Sequence, residues 1–192
     1  MPETWYEPVP AASPLLQGDF VLDCPVLIWK PGRPNFEGQQ EHEVLANIFD
    51  VEKMDVVVMT QSCDLEQRKV QEVVVCPMDA LSEFKTAWEG DVRAKGQVPT
   101  AKAWTSLCKD IRDGFQWNYA MLNRGEIDAL KTEHRIVDFH EIFTLPLEFL
   151  EGIAIQRGPR LRLCSPYREH LSQAFARYFM RVGLPSTVET VW

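Results

Sequence analysis

The amino-acid sequence predicts an α+β fold in which a small, mostly antiparallel sheet is accompanied by helices. Two valine-rich runs, 56–58 and 73–75, are short apolar segments bounded by polar residues. Such runs are typical of strands that are buried on both faces of a sheet. A stripe of apolar residues recurs at helical spacing after Ser165, which indicates an amphipathic C-terminal helix. Early strands and one well-marked late helix together favour the α+β class.

Composition limits the possible functions. The 192 residues suffice for one core, and the net charge of −8 disfavours broad binding to RNA or DNA, which needs a cationic surface. The five cysteines are widely spaced and form no C-x-x-C pair, so we predict no metal site and no cofactor. We find no charged-then-apolar leader and no apolar run of about 18 residues, so we expect a cytoplasmic protein with reduced thiols and no membrane contact.

The first half of the chain predicts an arm followed by strands. Residues 1–16 are rich in proline and predict an extended N-terminal arm before a single domain, 17–192. A first strand is expected within 17–29, with a bulge or break at Cys24-Pro25 because proline cannot donate to a sheet. Residues 44–51 predict another short strand before the two valine runs.

The second half predicts a helical insertion at about 79–131, where the apolar period changes from two residues to nearly four. Residues 134–145 alternate loosely and predict a strand, and 147–150 predict a helical turn closed by Gly152. The last helix is expected at about 166–182, with Ser165 as N-cap and with Gly183 and Pro185 as its stop signals.

A polar stretch between the valine runs holds the densest cluster of reactive side chains, namely Thr60, Gln61, Ser62, Cys63 and Asp64. Cys63 could act as a nucleophile with a distant histidine, or it could be an inert, half-buried turn cysteine. We predict that Asp64 mainly fixes the turn, as aspartate does in Asx-turns. Gln61 and Ser62 could either support the turn or recognise a ligand.

A second candidate is an arginine-rich segment, 157–181, which carries six arginines against one glutamate. Arg160, Arg162 and Arg168 could bind phosphate or an acidic partner, because guanidinium groups favour bidentate contacts. The alternative is that these arginines pair with carboxylates of the same chain. An acidic chain offers many such internal partners, so we favour internal pairing.

Several strand-like segments follow one another in an order that resembles the MazF/PemK toxin family. They are Gly18-Asp19-Phe20-Val21, the run 56–59 that ends in Thr60, and Val73-Val74-Val75-Cys76-Pro77-Met78. Residues 136–144 are similar to that family's late strand, and 147–150 to the start of its next helix. The resemblance covers 17–77 and roughly 135–152. It implies a small, usually dimeric SH3-like barrel, here with inserted helices and a C-terminal extension.

The family is best known for endoribonuclease activity, in which an arginine and a serine or threonine beside the second strand support attack by the RNA 2′-hydroxyl. Thr60 or Ser62 stands where the family has its hydroxyl. The family's Arg-Pro is replaced by Glu52-Lys53-Met54-Asp55, so only Lys53 or Arg68 could supply the cation. Neither lies at the motif position, and lysine is no equivalent of a guanidinium fork.

Three functional hypotheses follow. The one we favour is a non-catalytic or catalytically altered MazF/PemK-like binding module in a prokaryotic toxin, defence or stress-response system, with a protein partner or a second copy of itself. The first alternative is a metal-independent endoribonuclease toxin that uses Thr60 or Ser62. The second alternative is a thiol-dependent hydrolase with Cys63 as nucleophile.

Overall fold

The computed structural model describes residues 4–38 and 40–180, and this part of the chain is α+β with mostly antiparallel strands, as predicted. The strands are β1 (Tyr6–Val9), β2 (Phe20–Trp29), β3 (Phe49–Val58), β4 (Glu72–Ala80), β5 (Tyr119–Leu122), β6 (Gly125–Ile127), β7 (Leu130–Thr132), β8 (Arg135–Asp138), β9 (Phe143–Pro146) and β10 (Arg160–Leu163). The helices are α1 (Glu41–Ala46), α2 (Ser62–Glu66), α3 (Leu81–Ala94), α4 (Ala101–Arg112), α5 (Leu147–Arg157) and α6 (Tyr167–Phe179). No helix in these described ranges is both long and apolar enough to span a membrane.

Strand β4 is the centre of the main sheet. The strands pair in the order β2-β3-β4-β8-β5, and β9 pairs with the first half of β4. Every one of these pairings is antiparallel. Within the described residues, β2 and β5 do not pair with each other, so the sheet does not close into a ring. The SH3-like barrel therefore stays a prediction.

Both faces of the central strands are covered, which confirms the interpretation of the valine runs. Val56, Val58, Val73 and Val75 pack in one apolar cluster with α5. Val57 belongs to a second cluster on the opposite face, with β10 and α6. Branched side chains suit strands of this kind because they fill the pleated surface on both sides.

Several element boundaries differ from the sequence prediction. Residues 44–51 do not form one strand, because α1 ends at Ala46 and β3 begins at Phe49. The predicted strand at 134–145 is two strands, β8 and β9, which pair with successive parts of β4. The helical turn expected at 147–150 continues through Gly152 as α5, whose C-cap is Gly158 with φ of +93°.

The insertion contains strands as well as helices. Helices α3 and α4 occupy its first half. The N-cap of α4 is Thr100, whose hydroxyl accepts a hydrogen bond from the backbone N–H of Ala103 at 3.2 Å. Its second half forms β5, which joins the main sheet beside β8, and the separate β6–β7 hairpin. The insertion predicted as helical thus also contains strands, because β5 gains its hydrogen bonds from β8, which lies outside the insertion.

The N-terminal segment and the C-terminal region pack together. Residues 6–9, within the predicted arm, form β1 and pair with β10, and Tyr6 is buried. The extended conformation was predicted, but the segment belongs to the fold and does not project as an arm. Helix α6 begins at Tyr167, with Pro166 and not Ser165 at its N-cap position. The predicted end at 182 and the stop signals Gly183 and Pro185 lie outside the described residues.

Candidate functional site

The hydroxyl groups of the polar stretch after β3 accept backbone hydrogen bonds from other parts of the chain. Thr60 Oγ1 accepts the backbone N–H of Val74 at 2.7 Å and so fastens β4 to the end of β3. Ser62 Oγ accepts the backbone N–H of Gln17 at 3.3 Å. The side chain of Gln17 in turn donates to the Met59 carbonyl and to Ser172 Oγ of α6, both at 2.8 Å. The two candidate hydroxyls therefore contribute to the architecture of the strand end.

Cys63 and Asp64 lie in the first turn of α2, so this stretch is a short helix and not an open turn. Cys63 is exposed, and within the described chain its sulfur has Gln61 Oε1 and Asp64 Oδ1 as hydrogen-bond partners, at 3.8 and 3.7 Å. Neither partner is a histidine. The carbonyl of Asp64, and not its carboxylate as predicted, fixes the following loop by accepting the N–H of Lys69 at 2.9 Å.

Lys53 and Arg68, the two cations considered for a nuclease, both have other surroundings in the structure. Lys53 is exposed in β3 and is opposite Pro25 in the register. It lies seven residues before Thr60, which is roughly 23 Å along an extended strand. Arg68 forms an exposed ion pair at 3.2 Å with Glu151 of α5. The structure thus brings together Thr60, Gln61, Ser62, Cys63 and Asp64, but not Lys53.

Two of the three candidate arginines are buried in an ion-pair cluster around Asp19, which is fully buried. Arg160 donates to Asp19 Oδ2 at 2.7 Å and to the carbonyls of Ser13 and Pro14 at 2.8 and 2.9 Å. Arg162 donates to both carboxylate oxygens of Asp19 and to the Pro14 carbonyl at 3.0 Å. This arrangement favours internal pairing, and it fastens the N-terminal segment to β10.

Arg168, the third candidate, also pairs within the chain. Its Nη2 contacts Glu169 at 2.7 Å, and its side chain is 28% exposed. The Glu169 pKa lies below its ordinary value, first because of this hydrogen bond from Arg168. The pair lies near the surface, so it leaves Arg168 more accessible than Arg160 or Arg162.

A cavity that the sequence analysis did not find lies beside the start of β2. It has a volume of about 220 Å³, and residues of β2, β7, β8 and the segment from α5 to β10 line it. Lys131, Arg135, Arg157 and Arg160 reach it together with one carboxylate, that of Asp23. These residues are scattered along the chain, so no local sequence pattern brings them together.

A bulge in β2 shapes this cavity. The register with β3 shifts between Val21 and Cys24, close to the break predicted at Cys24-Pro25, and Asp23 has φ of +48°. Its backbone N–H donates to Asp55 Oδ1 at 2.9 Å, and its carbonyl accepts Arg157 Nη2 at 2.7 Å. Asp55 also forms an ion pair at 2.6 Å with Arg135. A non-glycine residue at positive φ requires such support, and bulges commonly lie next to binding sites.

The far half of the β2–β3 ribbon carries an apolar face that is open to solvent. Leu27 is opposite Val51, and Trp29 is opposite Phe49, so these four side chains share one face. Leu27, Trp29 and Val51 are 60%, 67% and 65% exposed. Trp29 and Phe49 contact each other, with ring centroids 4.4 Å apart. An exposed apolar cluster of this kind is typical of an interaction surface.

Within residues 4–38 and 40–180, no three His, Cys, Asp or Glu side chains come together as metal ligands. Comparison of the chain with protein-family models, curated proteins and solved structures found no match.

Proposed function

We propose that this protein is a binding module, a non-catalytic or catalytically altered relative of the MazF/PemK barrel that serves a prokaryotic toxin, defence or stress-response system. The observation that carries this proposal is the exposed apolar face of Leu27, Trp29, Phe49 and Val51 on the β2–β3 ribbon. Its partner is another protein or a second copy of the chain. The family relationship itself is supported by the order of the strands along the sequence.

The strand-end geometry supports the non-catalytic part of the proposal. A 2′-hydroxyl attack on phosphate needs a cation fixed beside the reacting group, because negative charge develops on the phosphate oxygens. Thr60 Oγ1 instead accepts a backbone hydrogen bond, and Lys53 lies far along β3. The net charge of −8 also opposes the approach of RNA.

We expect the purified protein to leave a mixed RNA pool intact in the presence of EDTA, because Thr60 Oγ1 is engaged by the Val74 N–H, Lys53 lies far along β3 and Arg68 pairs with Glu151. Product formation would be followed on sequencing gels beside the variants Thr60→Ala, Ser62→Ala and Cys63→Ala, with folding checked by circular dichroism. Sequence-specific cuts that disappear in Thr60→Ala or Ser62→Ala would contradict the proposal and establish the endoribonuclease alternative.

The ribbon face gives a second test. We expect the double variant Trp29→Ser, Val51→Ser to lose the bound partner or the dimer, because truncation of an exposed apolar anchor removes binding energy without disturbing the core. The measurement combines affinity capture with size-exclusion chromatography and light scattering. Val98→Ser is the matched control, since Val98 is 82% exposed and belongs to the connection between α3 and α4 and not to the ribbon. Equal behaviour of both variants would refute the role of this face.

A further inference from the structure

The cavity beside the β2 bulge combines apolar walls with a cationic rim. Phe20, Leu130 and Leu161 are among its apolar lining residues, and Phe20 and Leu161 are buried. Ligand sites in proteins are typically concave and mostly apolar, with a few polar groups that fix the orientation of the ligand. The cavity meets this description, and it is separate from both the strand end and the ribbon face.

The charge at the rim favours an anion. Arg157 lines the cavity and donates to the Asp23 carbonyl, but it forms no ion pair within the described part of the chain. Lys131 pairs with Glu126, but both side chains are more than 60% exposed, so this contact exchanges easily with water or with a ligand. Arg135 is held in place by Asp55. Arg157 and Lys131 are thus available to a ligand, whereas Arg135 is engaged by Asp55.

The carboxylates near the cavity engage some of its cations and leave others for a ligand. Asp23 is the single carboxylate among the lining residues, against four cations. Helix α5 ends at Arg157, so its C-terminal carbonyls add about half a negative charge near the cavity. Arg160 is engaged by Asp19 and Arg135 by Asp55. This leaves Arg157 without an ion pair in the described residues, and Lys131 in an exposed pair that a ligand can replace. Arg157 and Lys131 are therefore the cations that can meet an anion at the rim.

The size of the cavity limits the ligand. An engineered protein cavity of about 150 Å³ accommodates benzene. The volume of about 220 Å³ therefore has room for one aromatic ring and a small charged substituent. Larger ligands, such as a folded peptide segment, do not fit.

We propose that this cavity binds a small free molecule that carries an oxyanion, carboxylate or phosphate, on a single aromatic ring. Arg157 and Lys131 hold the oxyanion, and the ring packs against the apolar walls near Phe20 and Leu161. The bulge at Asp23 places the Arg157 guanidinium at the rim by accepting its hydrogen bond. This proposal stands independently of the binding-module proposal, because none of these residues lies in the strand end or the exposed ribbon face.

The test is calorimetric titration of the full chain with benzoate and phenyl phosphate, and with benzamide as the neutral counterpart of benzoate. We expect both anions to bind, benzamide to bind at least about tenfold more weakly, and anion affinity to fall as salt is raised. Arg157→Gln should lower anion affinity about tenfold, because it removes a charge-assisted contact. Arg93→Gln is the control, since Arg93 pairs on the surface of α3 with Glu89, and it should change affinity less than about twofold.

Four results would overturn the proposal. Equal binding of benzamide and benzoate would show that charge does not contribute to affinity. Undiminished anion binding by Arg157→Gln would show that the cationic rim does not contact the ligand. Inorganic phosphate binding as tightly as phenyl phosphate would mean that the apolar walls are not used. Absence of binding by the wild-type chain at millimolar ligand, checked by chemical-shift changes, would likewise contradict it. Each result leaves the ribbon-face test unaffected.

Discussion

Replacement of Asp19 by alanine is expected to destabilise the protein by about 3–5 kcal/mol, because it leaves two buried arginines without their carboxylate. Asp19 is fully buried, and Arg160 and Arg162 both donate to it. A domain of this size has a total stability of about 5–15 kcal/mol, so the loss is a large fraction. Urea unfolding measured by circular dichroism gives the change in the free energy of unfolding.

The matched control is Asp50→Ala, which removes the partner of Lys30 from a solvent-exposed ion pair at 3.3 Å. That change should cost less than about 1 kcal/mol, as exposed pairs generally do. A second measurement separates the cluster from a general loss of packing. Hydrogen exchange of β1 should rise in Asp19→Ala, because Arg160 and Arg162 also hold the carbonyls of residues 13 and 14. Equal costs for the two variants would show that the buried cluster has no special role.

The parts of the fold that the sequence predicted are those determined by local patterns. The runs 56–58 and 73–75 consist of apolar, branched residues, and this local pattern alone predicts strands that are buried on both faces. The stripe that predicted the last helix works for the same reason, since Leu171 and Phe175 repeat at a spacing of four residues and pack on the core.

Strand β10 was not predicted, because the burial of its two arginines depends on a residue that is distant in sequence. The sequence Arg160-Leu161-Arg162-Leu163 alternates with the period of a strand, but its arginines were interpreted only as ion-pair partners within the chain. Their carboxylate partner, Asp19, is 141 and 143 residues away along the chain. No local signal identifies such a pair. The alternation itself was the usable signal, and it predicts that both arginines share one face.

The position of Gly18 illustrates the same limit. The sequence analysis used Gly18 only as part of the Gly-Asp pair in the family resemblance. The structure shows why a glycine is needed at this position. Gly18 has φ of +84°, and a Cβ atom there would lie 3.0 Å from Leu163 Cβ. Its carbonyl accepts the N–H of Leu163 at 3.0 Å, so β10 approaches closely only because no side chain intervenes.

The sequence predicted where the cluster from Thr60 to Asp64 lies, but not what its side chains contact. The cluster from Thr60 to Asp64 does lie at the end of a central strand, because polar residues after a buried run mark where the strand leaves the sheet. What its hydroxyls do depends on Gln17 and Val74, which reach them through tertiary packing. The cavity beside β2 was not predicted at all, because its lining comes from several separate parts of the chain.

The second large effect is expected at alkaline pH, where two buried thiols destabilise the folded state. Burial raises the pKa of Cys24 to about 11, and Arg157 opposes this shift. Burial and the nearby Asp138 carboxylate raise the pKa of Cys76 to about 12. In the unfolded chain these thiols ionise near their ordinary pKa of about 9, so above that pH the unfolded state binds fewer protons than the folded state. The free energy of unfolding therefore falls as pH rises.

The contribution of the neutral thiols is fully present below pH 9 and is lost as pH rises through the folded-state pKa values. Each thiol contributes a slope of about 1.4 kcal/mol per pH unit, which amounts to roughly 4 kcal/mol for both between pH 9 and 11. Urea unfolding at pH 8, 9, 10 and 11 gives this slope. Cys76→Ala should lower the slope by about 1.4 kcal/mol per pH unit, whatever the variant's own stability at pH 8, because the titration of that thiol is removed. Cys63→Ala, at an exposed thiol, should leave the slope unchanged, and an equal slope in all three proteins would contradict the explanation.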